Sequence, residues 1–316
     1  MKRRISQIIS AVTTNAYWQG FLRAAIYRGR LKYICHPGMQ CYSCPSSVMS
    51  CPVGALQNAA ASLKESISTG SMYLGLYVIG FMGMLGALFG RLICGWLCPF
   101  GLLQELLYKI PTPKFSMPKW ASFGKFLMLF ALVLFLPAFL SFYQADFADE
   151  SGGFHAVPVI SVNGTGVAFP WYCKIICPVG TLEAGVPRLI SDPAIRNALG
   201  LWFRIKWTAL ILFLLWIILT YRAFCRAGCP LGAVYGLFNQ ISLYRLSIRR
   251  DKCSECGVCA GACPMDIKVY DNPNHHDCIR CLGCVAACKF HAIENGFQIR
   301  TRKEVNTVAE KTRTFN

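Results

Sequence analysis

The chain has 316 residues, of which 54% are hydrophobic and only 15% charged. Soluble domains carry about one-quarter charged residues, so the deficit points to lipid as the solvent for much of the molecule and argues against an ordinary soluble enzyme. The formal net charge of +17 would suit nucleic acid, but Lys and Arg flank apolar segments in short groups instead of forming one stripe, which fits lipid head groups and acidic redox partners and no nucleic acid.

The start, Met1 to Arg4, is basic, yet Ser6, Gln7, Ser10, Thr13, Thr14 and Asn15 interrupt the next stretch and no small-residue cleavage site is present, so no removable signal peptide is expected. Ile5 to Leu22 reads either as a weak span or as an interfacial helix. Three stronger segments come near the roughly 20 residues that a hydrocarbon core requires. Met72 to Gly90 and Phe126 to Tyr143 carry no charge, and Leu201 to Tyr221 carries only Arg204 and Lys206 near its start, where both can snorkel. Gly86 and Gly90 form a small-x3-small pair suited to close helix approach.

After about Ser247 the apolar runs end and cysteines cluster. The expected fold is a membrane α-helical bundle of three or four transmembrane helices over residues 1–247. A C-terminal α+β bacterial two-[4Fe-4S] ferredoxin domain comes next over 248–295, then a polar, disordered tail over 296–316. By the positive-inside rule, Arg222, Arg226, Arg245, Arg249 and Arg250 after the last span, and Lys109, Lys114, Lys119 and Lys125 between the first two strong ones, face the cytoplasm. Gln144 to Pro170, without Lys or Arg, faces outward. Span parity then sets residues 35–70 on the outer face, although Arg23, Arg28, Arg30 and Lys32 fall there against the rule. The location expected is the cytoplasmic (inner) membrane, multi-pass, with the ferredoxin domain in the cytoplasm.

Eighteen cysteines recur in C-x2-C and C-x3-C-P spacings beside apolar segments, which favours metal ligation over a secreted disulfide scaffold. The strongest signal is Cys253, Cys256, Cys259 and Cys263-Pro264, followed by Cys278, Cys281, Cys284 and Cys288. In this bacterial two-cluster spacing the distant fourth cysteine serves the other cluster. One cluster takes Cys253, Cys256, Cys259 and Cys288, the other Cys278, Cys281, Cys284 and Cys263. Two zinc ribbons would need pairs set apart by longer spacers.

A second signal is C-x3-C-P-x-G, at Cys94 with Cys98, Cys173 with Cys177, and Cys225 with Cys229. Proline is well tolerated in the first turn of a helix, so each motif reads as a cysteine pair at a helix start. Each pair supplies half of a cubane's ligands, and the topology groups Cys94, Cys98, Cys225 and Cys229 on the cytoplasmic side as a further [4Fe-4S] site. Two redox-active dithiols or plain buried cysteines are the bland alternative. On the outer side stand Cys35, Cys41, Cys44 and Cys51-Pro52-Val53-Gly54 with Cys173 and Cys177. Either the pair meets two of the N-terminal four, or those four hold a cluster alone; disulfides are the alternative for a surplus pair. His36 reads as structural, His275 and His276 as solvated, and His291 as packing behind the second ferredoxin cluster. No nucleotide-binding loop and no catalytic residue stands out.

The stretches Cys35–Pro45, Gly90–Gly101 and Cys225–Pro230, together with the double ferredoxin, resemble the NapH/NosR/MauN group of membrane polyferredoxins. The resemblance implies electron transfer across or into the membrane, from quinol toward an exported reductase or from cytosolic donors to extracytoplasmic flavoproteins. Beyond the shortest quinol-dehydrogenase members this chain adds the N-terminal cysteine set and the pair Cys173 and Cys177. It lacks the flavin-binding domain of the larger members. The expected function is a one-electron relay between a cytoplasmic electron donor and an extracytoplasmic flavoprotein or reductase. A quinol dehydrogenase and a redox-sensing or cluster-scaffold protein are the alternatives. The expected cofactors are two [4Fe-4S] clusters in the ferredoxin domain and one or two more in the membrane domain, with a flavin or quinone on a partner or between clusters. A hydrocarbon core is about 30 Å thick, so clusters must sit well inside the bundle or another cofactor must bridge them.

Overall fold

The computed structural model describes residues 2–23, 25–63, 73–139, 142–148, 154–160, 167–168, 170–191 and 200–298. Of the tail expected to be disordered from 296, Gly296 and Phe297 belong instead to the strand Ile293–Phe297, paired in a sheet, and residues from 299 onward lie outside the described residues. Two compact units form, one from Met1–Met82 and Ile93–Val234, the other from Gly83–Leu92 and Tyr235–Asn316. The second unit thus starts before the expected boundary at 247 and takes in ten residues from far upstream.

In the first unit the helix Lys2–Thr14 stops after 13 residues, about 20 Å of helix and too short to cross about 30 Å of hydrocarbon. Its inner side carries the buried Gln7 and Thr14. Arg3 reaches both oxygens of Glu105 at 2.7 and 2.9 Å, and the Ser10 hydroxyl donates to the Leu97 carbonyl at 2.7 Å. Ile5, Ile8, Ile9 and Val12, spaced along one helix face, are exposed. This helix is shorter than a span needs, and a second short helix, Gln19–Arg23, covers the end of the segment.

Lys119–Phe139 is, among the described residues, the one helix long and apolar enough to cross a membrane, with 21 residues and a mean hydropathy of 2.0; Gly75–Phe89 is a shorter apolar helix. It opens as a tight turn and widens to π-helical geometry over Met128–Phe135. Leu129 and Val133 are buried, while Leu127, Phe130, Phe135 and Phe139 face outward. The segment expected to run to Tyr143 ends earlier, because the strand Phe142–Ala148 begins there and pairs antiparallel with Phe154–Ile160. The third apolar segment is the 19-residue helix Leu201–Leu219. A bundle of three or four spans is therefore not established by length and composition.

In the second unit the strands Tyr244–Ile248 and Ile293–Phe297 pair antiparallel, with Tyr244 opposite Phe297 and Ile248 opposite Ile293. They close the two ends of the cysteine-rich segment. Two short helices, Val258–Gly261 and Gly283–Ala287, pack together between them. Leu246, Met265, Ile267, Val269, Ile279, Ala292 and Ile293 form the small buried interior.

The glycine pair plays two different roles. Gly86 lies against Phe238, whose ring a Cβ would meet at 2.6 Å, which is the close approach expected. Gly90 instead adopts φ +53° just after the helix Tyr73–Phe89, the left-handed helix-ending conformation that favours glycine. A Cβ there would stand 2.5 Å from Asn239 Oδ1, and that oxygen accepts the Arg91 N–H at 2.8 Å. Gly90→Ala is expected to destabilise this unit by about 1–3 kcal/mol, from left-handed backbone strain plus the clash. Denaturant unfolding followed in the second unit checks it; an unchanged midpoint would contradict the assignment of Gly90 as a helix stop.

Several cations counted toward orientation are not at the surface. Lys125, Arg222, Arg226 and Arg245 are all buried, whereas Lys109, Lys114, Lys119, Arg249 and Arg250 remain exposed. Buried guanidinium groups serve internal partners, so they carry no weight in a count of charges meeting lipid.

Candidate functional site

Four Cys-Pro-x-Gly runs start four helices. Cys51, Cys98 and Cys177 are the residues just before Pro52–Ala61, Pro99–Leu107 and Pro178–Gly180, and Cys229 precedes Pro230–Phe238. Proline costs nothing in the first turn, where its N–H would be unpaired. The glycine two positions later turns its free N–H back to the sulfur: Gly180 to Cys177 and Gly232 to Cys229, both at 3.4 Å. Gly54 makes the same bond to Cys51, and Gly101 to Cys98. A helix N-terminus favours negative charge, so each motif is a prepared thiolate position. The first cysteine of each C-x3-C pair sits on a five-residue helix, Leu92–Trp96, Trp171–Ile175 or Ala223–Ala227.

Cys94, Cys98, Cys225 and Cys229 converge, all buried. Burial pushes the Cys98 thiol up, and the charges of Cys225 and Cys94 push it further; Cys229 is raised by burial and then by Cys225, Cys94 and Cys98. Four mutually repelling thiolates in a buried site call for a positive core, which is the chemistry of an iron–sulfur cluster. Donors surround the sulfurs: the Met39 N–H reaches Cys98 at 3.4 Å and Gln104 Nε2 reaches Cys225 at 2.9 Å. The buried Arg222 donates to the Cys94 carbonyl at 2.6 Å. Its charge is held by Glu105 at 2.7 Å, which also accepts from Tyr221 at 2.8 Å and pairs with Arg3.

In the second unit one cavity is lined by Cys253, Cys256, Cys259 and Cys288 together, with Ile248, Tyr270 and Phe290 in its wall. Cys256 is the exposed member. Cys263, Cys278, Cys281 and Cys284 form the other group: Cys284 is raised by burial and then by the charges of Cys278, Cys281 and Cys263. Among the described residues, the triad of potential ligands whose atoms all lie within 4.8 Å of one another is His275, His276 and Asp277, with no cysteine in it. Zinc–sulfur bonds of about 2.3 Å would hold thiolates roughly 4 Å apart. A cubane gives each of four thiolates its own iron.

The remaining cysteines lie close to Cys94, Cys98, Cys225 and Cys229 within the same unit. Parity placed residues 35–70 and the pair Cys173 and Cys177 across the membrane from those four. Gly38 lies so close that a Cβ would meet the Cys98 Cα at 2.8 Å. The buried Tyr172, next to Cys173, donates its hydroxyl to the Gly228 carbonyl, next to Cys229, at 3.0 Å. Parity counting treats every connection between spans as a loop in water, but these motifs fold back and bury their backbone in protein.

The histidines meet the expectations only in part. His36 Nδ1 accepts the Gly38 N–H at 3.0 Å, so Nε2 carries the proton toward Ser10 at 3.2 Å, and burial pushes the ring down to about 4. This is the structural role expected of it. His275 and His276 are half-buried, and Asp277 beside them is paired with the buried Arg91 at 2.8 Å. His291 is exposed, in a left-handed turn after Cys288, and does not pack behind the second group. Sequence reading missed Gln57, Gln104, Glu105, Tyr172 and Arg222. The first two were legible, since each lies six residues after the cysteine of a Cys-Pro-x-Gly run.

A model described as a 4Fe-4S binding domain matches residues 72–118, 159–208 and 202–250, and a second 4Fe-4S binding domain model matches 246–268. An uncharacterised protein of Methanocaldococcus jannaschii is 28% identical over 240 residues, covering 74% of this chain and 83% of the relative. The regulatory protein NosR of Stutzerimonas stutzeri is 30% identical over 213 residues, 62% of this chain but 23% of NosR. The ferredoxin-type methylamine utilization protein MauN of Methylorubrum extorquens is 26% identical over 208 residues, 63% of this chain and 57% of MauN. No solved structure matches. Fold and thiol groups together define a ferredoxin-type 4Fe-4S electron-transfer protein. The chain is similar to the NapH, NosR and MauN ferredoxin-type proteins.

Proposed function

We propose that this protein carries single electrons through a lipid bilayer, from a cytoplasmic donor reacting at the second unit to an extracytoplasmic flavoprotein or reductase. Cys253, Cys256, Cys259 and Cys288 would hold one [4Fe-4S] cluster, Cys263, Cys278, Cys281 and Cys284 another, and Cys94, Cys98, Cys225 and Cys229 a third. When bound, such clusters supply reversible one-electron storage at a potential set by burial and hydrogen bonds. A flavin or quinone, where one takes part, would belong to a partner.

The observation that carries the reading is the arrangement of buried thiols along one membrane-length helix. Gly124, near the start of Lys119–Phe139, packs on Ala227, two residues before Cys229. Further along, Met128–Phe135 packs on Trp171–Ile175 and Pro52–Ala61, which carry or follow Cys173 and Cys51. The shift along the helix is roughly 10 Å at about 1.5 Å per residue. Thiols staggered inside the bundle remove the need for a single transfer across about 30 Å. Tyr172 spans the gap, while Arg222 and Gln104 hold positive charge and a donor against Cys94 and Cys225.

The test is reconstitution into sealed vesicles with a low-potential reductant outside and an acceptor dye trapped inside. Dye reduction that needs full iron content is the expected result; fully loaded protein that passes no electrons overturns the reading. Sensitivity to a quinol analogue would instead favour quinol oxidation. Gln104→Leu is expected to lower the potential of the cluster at Cys225 by about 40 mV, because the lost donor stabilises the more negative, reduced state by about 1 kcal/mol. A potentiometric titration followed by EPR measures the shift.

A further inference from the structure

We propose that Cys41, Cys51, Cys173 and Cys177 form a fourth [4Fe-4S] site, and that Cys35 and Cys44 ligate nothing. The proposal rests on reading Cys94, Cys98, Cys225 and Cys229 as a cluster site, whose plan it repeats.

The repeat is visible in residues and in bonds. Cys51-Pro52-Val53-Gly54-Ala55-Leu56-Gln57 and Cys98-Pro99-Phe100-Gly101-Leu102-Leu103-Gln104 agree at five of seven positions. In the second run, Gln104 donates to Cys225, the first cysteine of a C-x3-C-P pair, at 2.9 Å. In the first, Gln57 donates to Cys173, the first cysteine of another such pair, at 3.1 Å. Gln57 is buried, and its Oε1 accepts the Tyr172 N–H at 3.0 Å, so the amide is fixed in this orientation. Cys51 therefore stands to Cys173 and Cys177 as Cys98 stands to Cys225 and Cys229. Only the counterpart of Cys94 remains to be found among the N-terminal cysteines.

Cys41 fills that place. Its sulfur and that of Cys177 flank Gly180, where a Cβ would meet them at 3.7 and 3.8 Å. Its N–H donates at 2.8 Å to Glu183, which again lies six residues after the cysteine of a Cys-Pro-x-Gly run. A cation is at hand, as Arg222 is at the other site. Lys206 Nζ would lie 3.8 Å from a Gly180 Cβ, the same glycine that the sulfurs of Cys41 and Cys177 flank. Lys206, expected to snorkel to lipid, points to this site instead.

The two surplus cysteines have partners of their own. Cys44 has its sulfur 3.2 Å from the Ser46 hydroxyl and 3.8 Å from Asn15 Oδ1. Cys35 bridges to Ser50 through its backbone, and burial alone raises its thiol.

The experiment is anaerobic iron and acid-labile sulfide analysis of the full chain, with EPR spin counting of fully reduced protein. At four irons per site the native chain is expected to hold about sixteen irons, and Cys41→Ser or Cys173→Ser about twelve with circular dichroism unchanged. Cys35→Ser and Cys44→Ser are expected to keep about sixteen. A loss of four irons in Cys44→Ser, or none in Cys41→Ser, overturns the ligand set. Should the Ser variants not fold, the spin count of the native chain decides, and fewer than four reducible clusters overturns the proposal. About twelve irons, falling to about eight in Cys225→Ser, would sink the fourth site while leaving the third standing; about eight, unchanged in Cys225→Ser, would sink both.

Discussion

Glu105→Gln is expected to destabilise the first unit by about 3–5 kcal/mol, because it leaves the Arg222 guanidinium buried without its carboxylate. Arg222 is fully buried, and its partner is 5% exposed at the side chain. Arg3 loses its ion pair in the same change, but it keeps a route to water and contributes less. The doubly changed Glu105→Gln, Arg222→Gln chain is expected to regain part of the loss, since no unpaired charge then remains inside. A double-mutant cycle from denaturant unfolding in detergent measures this; single changes that simply add would show that the two groups do not act as a pair.

Removing iron is expected to unfold the second unit while leaving the helices of the first. From Tyr244 to Phe297 the buried apolar side chains are few, and much of the backbone runs in turns around the cysteines. So small an interior does not offset the chain entropy of ordering these residues, and cluster binding supplies the difference as folding free energy. Anaerobic chelation followed by hydrogen exchange is expected to abolish protection in residues 244–298 and to leave that of Leu201–Leu219 largely intact. Protection persisting in the iron-free second unit would mean that the strands Tyr244–Ile248 and Ile293–Phe297 hold it without metal.

Legibility was uneven for physical reasons. The two ferredoxin groups could be read because each set of three cysteines is local in sequence, and local spacing fixes which sulfurs can share a cluster. The cavity lined by Cys253, Cys256, Cys259 and Cys288 has this composition. The glutamines at 57 and 104 were written in the same repeat as their cysteines, but their targets, Cys173 and Cys225, lie more than a hundred residues away. The inward roles of Lys125, Arg222 and Arg226, which are buried, and of half-buried Lys206 could not be read, because a cation beside an apolar run looks the same whether it meets lipid or protein.

By itself, the sequence determined that thiolate-bound cubanes are the chemistry of this chain, that apolar helices surround them, and that proline and glycine prepare four cysteines at helix starts. Those features come from residue type and short spacing. Only the tertiary structure decided that the motifs lie against one another inside one unit. The Tyr172 hydroxyl on the Gly228 carbonyl joins parts of the chain 56 residues apart, and no periodicity encodes a contact made by segments folding back into the interior of one unit.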